Sequence, residues 1–151
     1  EARMFKHILV STDGSKLSGK AIRTAVKLAA ATGAKVTGAY IIAPYVSPAY
    51  GEGMMYMLAV SPKRYKQITE RVARKALAMV EIEARTAGTE YGSAISTANN
   101  PWEGIIRIAT AKKCDLIVMS SHGRRGLAGL LLGSETTKVL THSKVPVLVC
   151  R

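Results

Sequence analysis

Asp115-Leu-Ile-Val-Met119-Ser-Ser-His-Gly123-Arg-Arg-Gly126, continued to Gly133-Ser134, is the stretch on which the fold turns. Its apolar core is too short for a helix and unbroken by polar residues, so Asp115 to Met119 reads as a strand covered on both faces. The glycine-rich segment from Ser120 to Gly133 is a loop, and Ser134 to about His142 is a helix. A second apolar run, Val145 to Cys150, closes the chain as another strand. Strand, loop, helix and strand in that order form one crossover unit, which calls for a parallel sheet.

The same alternation extends toward the start of the chain. Lys6 to Thr12 is a buried strand that ends in the turn Asp13-Gly14, and Ser18 to Thr32 is a helix with Ala21, Ala25, Leu28 and Ala29 on one side. Gly33 supplies its left-handed stop, and Lys35 to Ile42 is a second, β-branched strand ended by Pro44. Residues 44–62 hold three prolines, three tyrosines and three methionines without a period and read as a long loop or lid. A helix over about Lys63 to Ala87 follows, with Tyr65, Ile68, Val72, Ala76 and Met79 expected in the core. Its pairs Glu70–Arg74 and Glu81–Arg85 have the spacing of an exposed face, and its seven basic residues fit that solvated face better than a binding patch. A weaker strand at Ser93 to Thr97 leads to a helix opened by Pro101, whose buried side is Trp102, Ile105, Ile106 and Ala109. The fold expected is α/β: an open, five-stranded, mostly parallel sheet with helices on both faces, doubly wound and Rossmann-like.

With 151 residues, 48% apolar and 21% charged, the chain is one domain able to bury a core. Residues 1–3 precede Met4 and are read as a remnant outside that domain. No apolar run approaches the ~20 residues of a membrane helix, no secretory signal is visible, and two cysteines, Cys114 and Cys150, make neither a disulfide framework nor a metal spacing. A soluble intracellular protein is expected. The net charge of +12 favours polyanions in general, yet only two aspartates occur, and the 5% aromatic content forms no stacking platform. A dedicated nucleic-acid function is therefore not expected.

In an open parallel sheet, ligands sit beyond the carboxyl ends of the strands where the strand order reverses. Two such ends are unusual here: Ser11-Thr12-Asp13-Gly14-Ser15, and Ser120 through Ser134. Gly123, Gly126, Gly129 and Gly133 leave backbone amides uncovered, and Gly133-Ser134 opens a helix, so the second loop suits phosphate oxygens. The same glycines could instead only turn the chain around Leu130 to Leu132. Gly14 to Lys20 matches most of a P-loop, but Ala21 stands where the magnesium-binding Ser or Thr belongs. No G-x-G-x-x-G dinucleotide fingerprint occurs either.

The turn Asp13-Gly14-Ser15, the spacing Gly123-x9-Gly133-Ser134, and the runs Asp115 to Met119, Ser121-His-Gly-Arg124 and Val145-Pro-Val-Leu-Val resemble the universal stress protein family. The resemblance covers the chain from Met4 onward and implies a domain of the HUP type. It implies a cytoplasmic, nucleotide-dependent adaptor of the stress response, binding ATP (or AMP or ADP) with Mg²⁺ between the first and fourth strands. Ser11, Thr12 and Asp13 would lie near ribose, phosphates and the metal, with Asp13 reaching Mg²⁺ through the nucleotide. Ile41 would offer backbone atoms to adenine. Ser120, His122, Gly123, Arg124, Arg125, Gly126, Gly133 and Ser134 would surround the phosphates. The family's first signature glycine is Ser120 here, a small residue that adds a hydroxyl. The resemblance also implies a homodimer joined through residues 145–150 and a protein partner it does not name, with no membrane. The alternative is a member without nucleotide that acts as a basic adaptor for proteins or nucleic acid.

His122 is read as a turn residue before a phosphate ligand, Arg124 and Arg125 as phosphate forks or loop charges. His7 and His142 are isolated, and no cluster suggests zinc. Cys114 reads as a packed thiol and Trp102 as a helix–sheet packing residue. No nucleophile, base and orienting group can be assembled, so at most slow ATP hydrolysis is expected. The S-G-G-x-D-S loop of pyrophosphatase-type enzymes is absent after the first strand.

Overall fold

A computed structural model describes residues 3–46, 60–123 and 132–151. The elements are β1 (His7–Ser11), α1 (Lys16–Thr32), β2 (Lys35–Ile42), α2 (Pro62–Thr86), β3 (Tyr91–Thr97), α3 (Pro101–Ala111), β4 (Leu116–Ser120), α4 (Ser134–His142) and β5 (Val147–Cys150). The strands form one sheet in the order β3-β2-β1-β4-β5, and each described pairing is parallel. The expected doubly wound sheet is therefore present.

Alternation along β1 decides which helices cover which face. Ile8 and Val10 join Ala25, Val26, Val80 and Val118 in one core cluster, beneath α1 and α2. Leu9, between them, belongs to a second cluster with Ile105, Ile108, Ile117 and Val139, beneath α3 and α4. Ile8, Leu9, Val10, Ile117 and Val118 have no solvent exposure, as central strands of a two-sided sheet require.

Local chemistry sets the ends of the helices. Ser15 accepts from the Ser18 amide and caps α1, which therefore begins at Lys16, ahead of the Ser18 start that periodicity suggested. Gly33 ends α1 with φ 69°, its amide donating to Ala29 O. Ser61 caps α2 and Pro62 is its first residue, so the irregular segment is shorter than 44–62; residues 47–59 lie outside the described residues. The flanks of that segment are tied together. The Tyr45 hydroxyl donates to Val60 O at 2.8 Å and the Tyr65 hydroxyl to Ala43 O at 2.6 Å.

Two expectations about burial need correction. On α2 the buried residues are Ala73, Ala76, Leu77, Val80 and Ala84, while Ile68, Val72 and Met79 are exposed and Tyr65 is half-buried. The cause is Gly38 on β2, where an added β-carbon would stand 3.1 Å from Leu77 Cδ2 and 3.2 Å from Val80 Cγ2. The helix lies close to the sheet there, with Leu77 and Val80 fitted over the bare Gly38 backbone, and the face that carries them is the one turned inward. On α3, Ile108 is buried rather than Ile106, because Gly104 sets a similar close approach. The exposed pairs on α2 form as expected, Glu70 with Arg74 at 3.8 Å and Glu81 with Arg85 at 2.6 Å.

Candidate functional site

β1 is flanked by β2 on one side and β4 on the other, so strand order reverses between β1 and β4. Both unusual loops leave the sheet at that point. Thr12 N continues the ladder by donating to Ala39 O at 3.0 Å, and the chain then turns through Gly14 at φ 79°. The turn is held from within: Ser15 N donates to Asp13 Oδ1 at 2.9 Å, Gly14 N to Thr12 Oγ1 at 3.1 Å, and Thr12 Oγ1 to Ser18 Oγ at 3.0 Å. Thr12 and Ser18 are buried, so their hydroxyls fix the start of α1 against the end of β1.

The second loop is fastened where it leaves β4 and where it enters α4. Ser120 Oγ donates to His122 O at 2.8 Å, and Ser121 N donates to Cys150 O at 2.7 Å. Gly133 N returns to Ser121 O at 2.7 Å, while buried Thr136 donates to Ser120 O at 3.0 Å. An added β-carbon on Gly133 would stand 3.1 Å from Ser121 O and 3.5 Å from His122 Cα, so only glycine permits this closure without movement. As N-cap of α4, Gly133 brings no side chain to the helix's first amides. The one acid of that first turn, Glu135, instead accepts from Trp102 N at the start of α3, at 2.8 Å. Among the described residues no side chain caps the start of α4, which carries the positive end of its dipole.

Gly123 joins the two loops, for a β-carbon placed on it would fall 2.9 Å from Asp13 Oδ2. Of the expected site residues, Ser11, Thr12, Asp13, Ser120, His122, Gly123, Gly133 and Ser134 all lie on these two loops or the element ends that carry them. The His122 side chain meets its neighbour in the turn, its Nδ1 lying 3.0 Å from Ser121 Oγ. Arg124, Arg125 and Gly126 lie outside the described residues.

Ile41 lies past Ser11↔Ala39, the last paired position of β1 with β2. Lys35 N bonds to Lys6 O and Ala39 O accepts from Thr12 N, whereas Val36 N and Ile42 O bond toward β3. Backbone groups alternate sides along a strand, so Ile41 N–H and C=O point to the β1 side, beyond its paired end. The Ile41 side chain runs beneath α3, where a β-carbon on Gly104 would lie 2.7 Å from Ile41 Cδ1.

A single carboxylate at this place is the protein contribution that Mg²⁺ needs when phosphates and water supply its other ligands. Asp13 fits that part, with Oδ1 held by an amide and Oδ2 turned to the second loop.

Sequence reading did not single out Thr136, Gly104 or Glu135. A glycine within the apolar α3 marked the first close approach to Ile41, but nothing in the sequence pairs Glu135 with Trp102 across thirty-three positions.

A parallel α/β sheet with helices on both faces and two polar loops leaving it at its strand-order reversal defines a Rossmann-like domain. The chain belongs to the universal stress protein family, whose model matches residues 4–151. It is 32% identical to a universal stress protein of Methanocaldococcus jannaschii over 98% of this chain and 83% of that protein. It superposes on the universal stress protein UspA from Lactobacillus plantarum with a TM-score of 0.75, at 24% identity and full coverage of both chains. A universal stress protein solved in complex with cAMP superposes with a TM-score of 0.67, at 25% identity over 97% of each chain.

Proposed function

We propose that this protein binds an adenine nucleotide, ATP with Mg²⁺ foremost, in the crevice between β1 and β4, and acts as a cytoplasmic, nucleotide-dependent adaptor in the response to stress. The approach of Gly123 to Asp13 is the observation that carries the reading, because it joins a carboxylate and a backbone position without a side chain at the strand-order reversal. Phosphates rest on the amides of Gly123 and Ser134 and on the dipole of α4, with Gly133, whose own amide is taken by Ser121 O, leaving the approach open, and Arg124, Arg125 and Gly126 on the same loop. Asp13 serves ribose and the phosphate-bound metal, with Ser11 and Thr12 beside it, and the Ile41 backbone edge serves adenine. Ser120, in place of the family's glycine, is compatible with this because its hydroxyl is taken up by His122 O. The cAMP complex of a relative at 25% identity adds support for a nucleotide in this fold.

Bound nucleotide supplies a polyanion that changes the charge of this surface, and that change is what a partner protein reads. The same reading includes a homodimer paired through β5, an edge strand whose Leu148 is exposed.

Calorimetric titration with ATP, ADP and AMP, with and without Mg²⁺, tests the proposal. Saturable binding in the micromolar range, weakened at least tenfold by Gly123→Val, is the expected result. A wild-type chain that takes up none of the three overturns it.

A further inference from the structure

A nucleotide crevice leaves most of the +12 net charge without a role, and that charge is not spread evenly. α1 carries Lys16, Lys20, Arg23 and Lys27 and no carboxylate. At about 3.6 residues per turn the four fall within a sector of about 60°, opposite the buried Ser18, Ala21, Ile22, Ala25, Val26 and Ala29. All four are exposed. None forms an ion pair among the described residues, where the three ion pairs lie on α2. Gly19 leaves room for Arg23 to lie back along the crest, its Nη1 3.5 Å from where a β-carbon would stand.

We propose that this crest docks on the phosphate backbone of a nucleic-acid duplex without reading its sequence. Lys16 to Lys27 spans about 16 Å of helix axis. A duplex offers one phosphate charge per ~1.7 Å of its own axis, so each of the four cations finds a phosphate within reach. α1 has no aromatic side chain on which bases could stack, which selects a duplex over a single strand. Leu17 is its one exposed large apolar residue, so the crest lacks the apolar face that seats a helix in a lipid surface. Helix dipole and loop amides play no part, so this surface is independent of the nucleotide crevice.

Fluorescence anisotropy with a 20-base-pair DNA duplex of arbitrary sequence, titrated across ~50 to 200 mM salt, is the test. Four phosphate contacts predict a log–log salt slope near −3.6, at about −0.9 per contact. K20E/R23E should lower affinity at least tenfold at ~100 mM salt and reduce the slope by about two. K138E/K144E, with the same charge change on exposed positions away from α1, should stay within threefold of wild type. Thermal melts of both variants establish that each is folded. Equal losses in the two variants would reduce the effect to net charge and overturn the proposal. So would the absence of duplex binding by wild type, or a K20E/R23E variant that loses binding to phosphatidylserine vesicles but not to DNA.

Discussion

Gly123 and Asp13 come from loops 110 residues apart, yet a single added carbon on Gly123 would press to 2.9 Å from Asp13 Oδ2. The carboxylate and the bare loop backbone therefore share one small space, and each limits what the other can be.

Coupling between the two follows directly. Gly123→Ala should weaken ATP about tenfold, roughly 1.4 kcal/mol, by displacing the carboxylate. In an Asp13→Ala background the same change should cost less than half of that, as contacting residues are non-additive. Titration of the four chains checks it, and fully additive losses would show that the two do not share the space.

Gly104 makes a second close approach, toward Ile41. Gly104→Ala drives a methyl group to 2.7 Å from Ile41 Cδ1, and overpacking of that kind costs about 1–3 kcal/mol, less the gain of up to ~1 kcal/mol for alanine in a helix. Urea unfolding should show net destabilisation, and Ile41→Val in the same chain should recover part of it. A Gly104→Ala chain as stable as wild type would refute the tight packing.

His7 sits at the opposite end of the sheet, its Nε2 2.7 Å from Thr37 Oγ1 and its Nδ1 3.0 Å from Lys112 O. Burial first, then the Lys35 cation, holds its pKa below the ordinary 6.5, so the neutral ring donates to the carbonyl and accepts from the hydroxyl. Between that lowered value and 6.5 the unfolded chain binds more protons than the folded one, so stability rises with pH. Melting temperature should fall on acidification through 6.5. His7→Gln should lower stability at neutral pH and flatten that dependence, which melts at pH 7.5 and 5.5 will reveal.

Burial pushes the Cys114 thiol up to about 11, with the neighbouring Asp115 adding to the shift. At pH 8 its thiolate is about one part in a thousand. A thiol reagent applied to the native chain should label half-buried Cys150 and spare Cys114 until the protein is unfolded. Equal rates at both sites, read by peptide mass, would contradict the burial.

The β4 run Leu116 to Met119, the Gly33 stop and the Pro101 start were legible because each rests on a local rule: an unbroken apolar strand, a positive φ, a missing amide. The two polar strand ends that the sheet brings side by side were legible from their glycines and hydroxyls, which the structure uses to turn and fasten the chain. The inward face of α2 was not. Its strongest apolar residues, Met79 at 53% exposure and Ile82 at 59%, point outward, and alanines point in. Periodicity weighs hydrophobicity within the helix, whereas the inward face is the one whose Leu77 and Val80 fit over Gly38, a residue of another element. The Glu135–Trp102 bond was illegible for the same cause: it belongs to the meeting of two helices, and neither helix's own sequence contains it.

Gly133 N on Ser121 O and Thr136 on Ser120 O fasten the span between them like a purse drawn shut at its neck. Lengthening such a closed span costs little chain entropy, about 0.6 kcal/mol per doubling. Insertions and substitutions inside it should therefore leave the sheet intact, so that this span can vary without rebuilding the scaffold around it.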